Sequence, residues 1–284
     1  MFENIFKGFS FIKESISLIA KDADVIKPSF YSILVGAFFT IFSVIILFFL
    51  QSGLQPGMMF YILAFLVLLG NYYISYFFTG MTAFLVYDYF KDGDATMSEA
   101  WAATKKNALP IFYLAIISAI VNIILGVLRG RARRGRNLAG GFSGMILDFI
   151  ERAWTVATYF IIPAIVIEDR DLGGAVERAT HIIKRNLLPI GVGEIAVSLV
   201  TGILSIIGFI IAIFIGISLV NLTTPLIAVV IAAVLIVVVI AFSMYITTAY
   251  HTCLFLWARN AEKAGVPGSS IKPPGPIANA LGIS

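Results

Sequence analysis

Cysteine, histidine and charge are all scarce in this 284-residue chain, and each scarcity excludes a class of function. The one cysteine, Cys253, sits inside an apolar run, so no disulfide framework forms within the chain. The two histidines, His181 and His251, stand far apart with no second thiol nearby. A zinc site therefore has no ligand set, and neither a metal nor a cofactor is expected. Charged residues make up 13% of the sequence against 60% hydrophobic, and the mean hydropathy is +0.97. A soluble globule of this length would expose too much apolar surface, so the composition predicts an integral membrane protein. The net charge of +4 comes from basic residues flanking apolar runs. Membrane lipids with anionic head groups are the expected counter-charge, and nucleic acid is not an expected partner.

Catalytic motifs are also missing. HExxH, CxxC and P-loop patterns are absent, and GVGE at 191–194 lacks the third glycine and preceding strand of a nucleotide fingerprint. GFSG at 141–144 has the spacing of an intramembrane serine protease, but Ser143 and His251 fall at opposite ends of their spans, about 25–30 Å apart if both cross. A base at that distance cannot take the serine proton, and no enzyme is expected.

What is present is apolar and periodic. Runs long enough to cross a membrane, about 20 residues each, lie at roughly 29–50, 58–87, 108–128, 142–167, 187–218 and 225–257. Before the first, third and fifth runs the chain reads KPSFYSILVG, KKNALPIFYLA and KRNLLPIGVGE, placing Pro28, Pro110 and Pro189 in first helical turns, where a missing N–H costs nothing. Upstream of each proline is a short amphipathic segment. These are 2–24, then TMSEAWAATKK with a Thr96/Glu99 capping box, then LGGAVERATHIIKR. The expected fold is all-α, with six spans arranged as three parallel hairpin repeats, each preceded by an amphipathic surface helix. The repeat units cover about 1–90, 91–170 and 171–265, and a Pro/Gly-rich tail covers 266–284. The charged N-terminal stretch has no uninterrupted apolar core and does not read as a signal peptide.

Two stretches are more specific than the rest. WTVATYFIIPAIVIEDRDLGGAVERATHIIKRN runs from Trp154 through Pro163 and Glu168 into the third surface segment, and LFLWARNAEKAGVP closes the sixth span. They resemble an uncharacterised family of six-span bacterial and archaeal membrane proteins, a domain of unknown function. In it a span with the Trp, Thr-Tyr, Pro and Glu seen here at Trp154, Thr158, Tyr159, Pro163 and Glu168 leads into a helix like Ala175 to Thr180. His181 and the arginine-rich third loop depart from that pattern. The resemblance implies the six-span fold and no activity.

With both termini inside a cytoplasmic membrane, every basic residue falls on the inner side except Arg152 and the five of RGRARRGR: Arg129, Arg131, Arg133, Arg134 and Arg136. That run is expected as an outer loop that binds anionic head groups or an acidic partner, since arginine suits bidentate recognition of phosphate and carboxylate. Within the spans, Asp148, Glu151 and Arg152 share one helix face and are expected to form a self-neutralising cluster. Glu194 has no opposite charge in the following turn and is a candidate buried acid, with Lys184, Arg185 or His251 as its possible partner. Asn71 and Asn122 suit interhelical hydrogen bonds.

Two functions follow. The first is a non-enzymatic scaffold or accessory protein organising lipids or membrane-protein partners, expected to be oligomeric, as a homo-oligomer or with a second protein. The alternative is a permeation protein for small solutes, ions or lipids along the axis between the three hairpins. A polar path linking Glu194 to the Asp148 cluster would favour the second.

Overall fold

The computed structural model describes residues 13–50, 57–134, 138–220 and 224–265, and these are helical with no strand among them. Residues 13–21 form α1, followed by a 3-10 turn at Ala23–Ile26. Then come α2 (Lys27–Leu50), α3 (Met58–Asp92), α4 (Met97–Lys106), α5 (Ala108–Arg134), α6 (Leu138–Glu168), α7 (Leu172–Arg185), α8 (Leu187–Val220) and α9 (Pro225–Ala264). Six of these, α2, α3, α5, α6, α8 and α9, contain stretches long and apolar enough to cross a membrane.

Local chemistry fixes most of the helix ends. Thr96, Asp171 and Thr224 cap α4, α7 and α9 by accepting the N–H of Glu99, Gly174 and Ile227. The Thr96 hydroxyl also donates to the Glu99 carboxylate at 2.5 Å, which ties the two ends of the first turn together. Gly93 and Gly265, with φ of 81° and 66°, end α3 and α9 in the left-handed conformation that favours glycine. Pro225 occupies the first turn of α9. Pro163 lies inside α6, so the backbone bond that would end on the Tyr159 carbonyl cannot form. Such a gap is tolerated where neighbouring helices cover it.

The centre of the molecule is a triangle of α3, α6 and α9, each packed on the other two. Outside it, α2 lies on α3 and α9, α5 lies on α3 and α6, and α8 lies on α9. One side of this arrangement stays open, because α8 and α6 do not pack on one another among the described residues. Close approach inside the packed pairs depends on small residues. A methyl group on Gly80 would come within 3.0 Å of Val166 Cγ2, and one on Gly216 within 2.8 Å of Ala232 Cβ.

Burial is uneven along the helices. Buried side chains gather at the end that carries α1, α4 and α7: Met81 to Val86, Phe160 to Val166, and Tyr245 to Ala258, with Trp257 the largest. At the opposite end, where the hairpins turn, Phe48, Phe49, Met58, Phe149 and Leu226 are exposed. The short helices bury Ala100 and Thr104 of α4 and Ala175, Ala179 and Ile182 of α7. Their starts are tied down by carboxylates. Asp22 accepts from the Ala95 N–H at 3.0 Å and Asp24 from the Met97 N–H at 3.4 Å.

Asp169, between α6 and α7, has φ of 53° and binds Lys106 Nζ at 2.6 Å and Asn107 Nδ2 at 2.8 Å. The Lys106 hydrogen bond, then that of Asn107, holds its carboxyl below the ordinary carboxylate range. A carboxyl lowered in the folded state adds stability above its unfolded value and loses it as pH falls through the folded one. Asp169→Asn, which tolerates the same backbone, should therefore lower the melting temperature slightly at neutral pH. The side chain is half exposed, so the effect is on the order of 0.5 kcal/mol after solvent screening. Thermal scans should find the gap between the two proteins closing in acid; a constant gap would assign the loss to packing.

Candidate functional site

At the short-helix end an ionic lattice joins α6, α7 and α9. Glu168 accepts from Arg170 Nε at 2.8 Å and Arg178 Nε at 3.1 Å, with Arg259 Nε at 3.7 Å. Arg178 pairs through its other arm with Glu262, whose second oxygen lies 2.8 Å from His181 Nδ1. Glu168 and Arg178 are nearly buried, at 12% and 13% exposed, so removing either would leave the other's charge poorly compensated. Arg259 also stands over the Tyr87 ring, 5.6 Å from its centre, which brings α3 into the lattice. Sequence reasoning quoted Glu168 and Arg178 in one motif without pairing them. Their separation of ten residues, through a helix end and a cap, was the available signal.

Further along the spans, the sequence-predicted acid Glu194 meets His251 of α9, with Oε2 2.8 Å from Nε2. Ser198 donates to the other carboxylate oxygen at 3.0 Å. The imidazole lies flat against the Tyr159 ring, with centroids 4.4 Å apart, and makes T-shaped contacts with Phe160 and Tyr250. His251 is buried, whereas Glu194 remains 28% exposed. Its exposed side borders a groove between α6 and α8, about 750 Å³ in volume, lined by Glu151, Arg152, Thr155, Glu194, Ser198 and apolar side chains including Ile195 and Leu199.

On the other flank of α6, a cavity of about 140 Å³ opens between α3, α5 and α6 and shares Glu151 and Thr155 with the groove. Its walls are rich in hydroxyls. Ser118 accepts from Tyr76 OH at 2.8 Å and Trp154 Nε1 at 3.1 Å, so one serine links three helices. Asn122 lines the same cavity, while Asn71 accepts from Thr40 Oγ1 at 2.9 Å and joins α2 to α3. No single line of the sequence announces this cavity, because its polar residues come singly from three helices.

The arginine run differs from its sequence-based expectation. Arg129 to Arg134 continue helix α5 and are not a loop. Leucine and arginine are both good helix formers, and nothing before Gly135 forces a stop. Arg129 is not free for an external anion, since it binds both Asp148, at 2.8 Å, and Glu151. The expected self-neutralising trio is thus replaced. The two acids of α6 are matched from α5, and Arg152 turns to the groove, where it forms no ion pair with any described residue. Arg131 is exposed. The side chains of Arg133 and Arg134, and all of Arg136, lie outside the described residues, as do the tail 266–284 and residues 1–12. Among the described residues no three His, Cys, Asp or Glu side chains come together as a metal site.

No curated protein matches the chain. Residues 57–265, from the start of α3 to the glycine that ends α9, match the family of unknown function DUF6159, and the chain belongs to that family.

Proposed function

We propose that this protein conducts an amphiphile through the membrane, carrying its polar head along the α6–α8 groove while its tail stays in lipid. The carrying observation is the groove itself, where Arg152, Thr155, Ser198 and Glu194 succeed one another between exposed apolar side chains. Arg152 precedes the end of α6 at Glu168 by 16 residues and Glu194 follows the start of α8 at Leu187 by seven. At 1.5 Å per residue these lie about 24 Å and about 10 Å from the short-helix end, so the polar stripe covers the middle of the bilayer. An arginine at that depth costs about 3 kcal/mol unless it finds an anion, and a phosphate head group supplies one.

The route is off the axis. The centre between the hairpins is filled by α3, α6 and α9, whose side chains pack tightly at the short-helix end. We read the fold as three parallel hairpin repeats with amphipathic helices α1, α4 and α7 lying on the membrane surface. In that reading α2 and α5 each bridge two inner helices, and α8 is the member that leaves its second partner uncovered. A scaffold role, with lipid or protein partners and a homo-oligomeric state, draws on no feature as specific as this groove. Catalysis has no convergent set of groups in this reading.

The test is reconstitution into vesicles with a head-group-labelled lipid and an impermeant quencher. The quenched fraction should rise beyond the outer-leaflet share with wild type, and fall back when Thr155 and Ser198 are both changed to Leu. Quenching that never exceeds the outer leaflet would end the proposal.

A further inference from the structure

His251 Nδ1 lies 2.7 Å from the Thr247 carbonyl oxygen. A carbonyl only accepts, so Nδ1 carries the hydrogen, and Nε2 is left facing Glu194 Oε2 at 2.8 Å. The carboxylate approaches off the ring N–H axis, so this is a close polar contact and not an aligned hydrogen bond. Two lone pairs repel at that distance, so one more proton belongs to the pair. It is held either as imidazolium with carboxylate or as imidazole with carboxylic acid. In both forms the pair is neutral, which suits a site between apolar helices.

Only one partner reaches the groove. His251 is 1% exposed, while Glu194 borders the open side with Ser198 next to it. The other titratable groups against the pair are Tyr159 from α6 and Tyr250 from α9. Glu151 and Arg152 stand farther along the groove, and α8 contributes the uncharged Ser198. Glu151 is already taken by Arg129. A hard metal ion takes about six oxygens, more than Glu194, Ser198 and Thr155 offer. A primary ammonium group, with three N–H donors, fits one carboxylate and one hydroxyl.

Resting on the groove as the polar route, we infer that the Glu194–His251 pair is an exchange site, at which a primary ammonium group binds the Glu194 carboxylate and displaces the proton the pair holds. The exchange balances. The ammonium keeps all its hydrogens and draws the ionised carboxylate toward the groove, away from the Nε2 lone pair; imidazole is left neutral with its hydrogen on Nδ1, and one proton goes to solvent through the groove. Ammonium could arrive on a lipid head group or on a free amine, and the chemistry at Glu194 is the same.

The experiment uses the full chain, weakly buffered, with a pH indicator. Ethanolammonium chloride adjusted beforehand to the same pH is added to detergent-solubilised protein, and in parallel the protein is placed in nanodiscs of phosphatidylethanolamine or phosphatidylcholine. Wild type should release up to one proton per chain, and Glu194→Gln, which keeps the size of the side chain but carries no ionisable group, should release none. Release with the free amine identifies a solute source, and release with phosphatidylethanolamine alone identifies a lipid. No release with either, or equal release from Glu194→Gln, overturns the inference. Head groups that cross without proton release would keep the route and remove the exchange site. Proton release without crossing would do the reverse.

Discussion

Arg178→Ala should cost roughly 3 kcal/mol of stability, the low end of the range for removing one partner of a buried ion pair. The loss arises because Glu168 and Glu262, at 12% and 20% exposed, would face one another across the space the guanidinium leaves. Arg170 and Arg259 still reach Glu168, and His181 reaches Glu262, which keeps the figure from the high end. Equilibrium unfolding in mixed detergent micelles reads the effect directly. Arg170→Ala is the control, because its side chain is 43% exposed and such pairs are worth about 1 kcal/mol or less. Equal losses for the two variants would refute the lattice as the joint between α6, α7 and α9. A double-mutant cycle of Arg178→Ala with Glu262→Ala should find a coupling that Arg170→Ala with Glu262→Ala lacks.

Trp257→Ala should be costlier still, about 3–5 kcal/mol, since it empties the largest fully buried side chain of the core. Its neighbours in the chain, Phe255, Leu256 and Ala258, are buried as well, so no nearby surface side chain can turn in to fill the space. The same tight packing closes the short-helix end of the bundle. Two readouts are therefore expected to move together: the unfolding midpoint falls, and vesicles bearing the variant leak a small trapped dye that wild type retains. A lower midpoint without leak would mean that the remaining core still seals this end. Trp257→Phe should recover most of the stability, because a smaller void remains.

What the sequence made legible was one-dimensional. Six apolar runs and the Thr96 cap of α4 follow from spacing and local chemistry, and each is where it was expected. The site was not legible in the same way, because its partners meet across long stretches of chain. Glu194 could be matched on paper with Lys184, Arg185 or His251, and only the packing of α8 on α9 selects the histidine. Asp148, Glu151 and Arg152 read as one cluster because they share a helix face. The cation that answers the two acids comes instead from Arg129, across the α5–α6 hairpin. The cavity around Ser118 is built from hydroxyls of three helices, none of which stands out in its own segment.

The open side of the bundle has a mechanical origin in chain length. Helices α3 and α5, which touch, are joined through the ten residues of α4, a strut of about 15 Å. Helices α6 and α8, which do not pack together among the described residues, are joined through the fourteen residues of α7, about 21 Å. The connections at either end of α7 are short: Asp169 to Asp171 on one side, Asn186 on the other. The strut is also pinned to α6 and α9 by Arg178. The two walls of the groove are thus the legs of a trestle whose crossbar is one helical turn longer than its counterpart. Deleting a turn from α7 would draw the legs together, and the width of the groove is in this sense a distance counted out in residues.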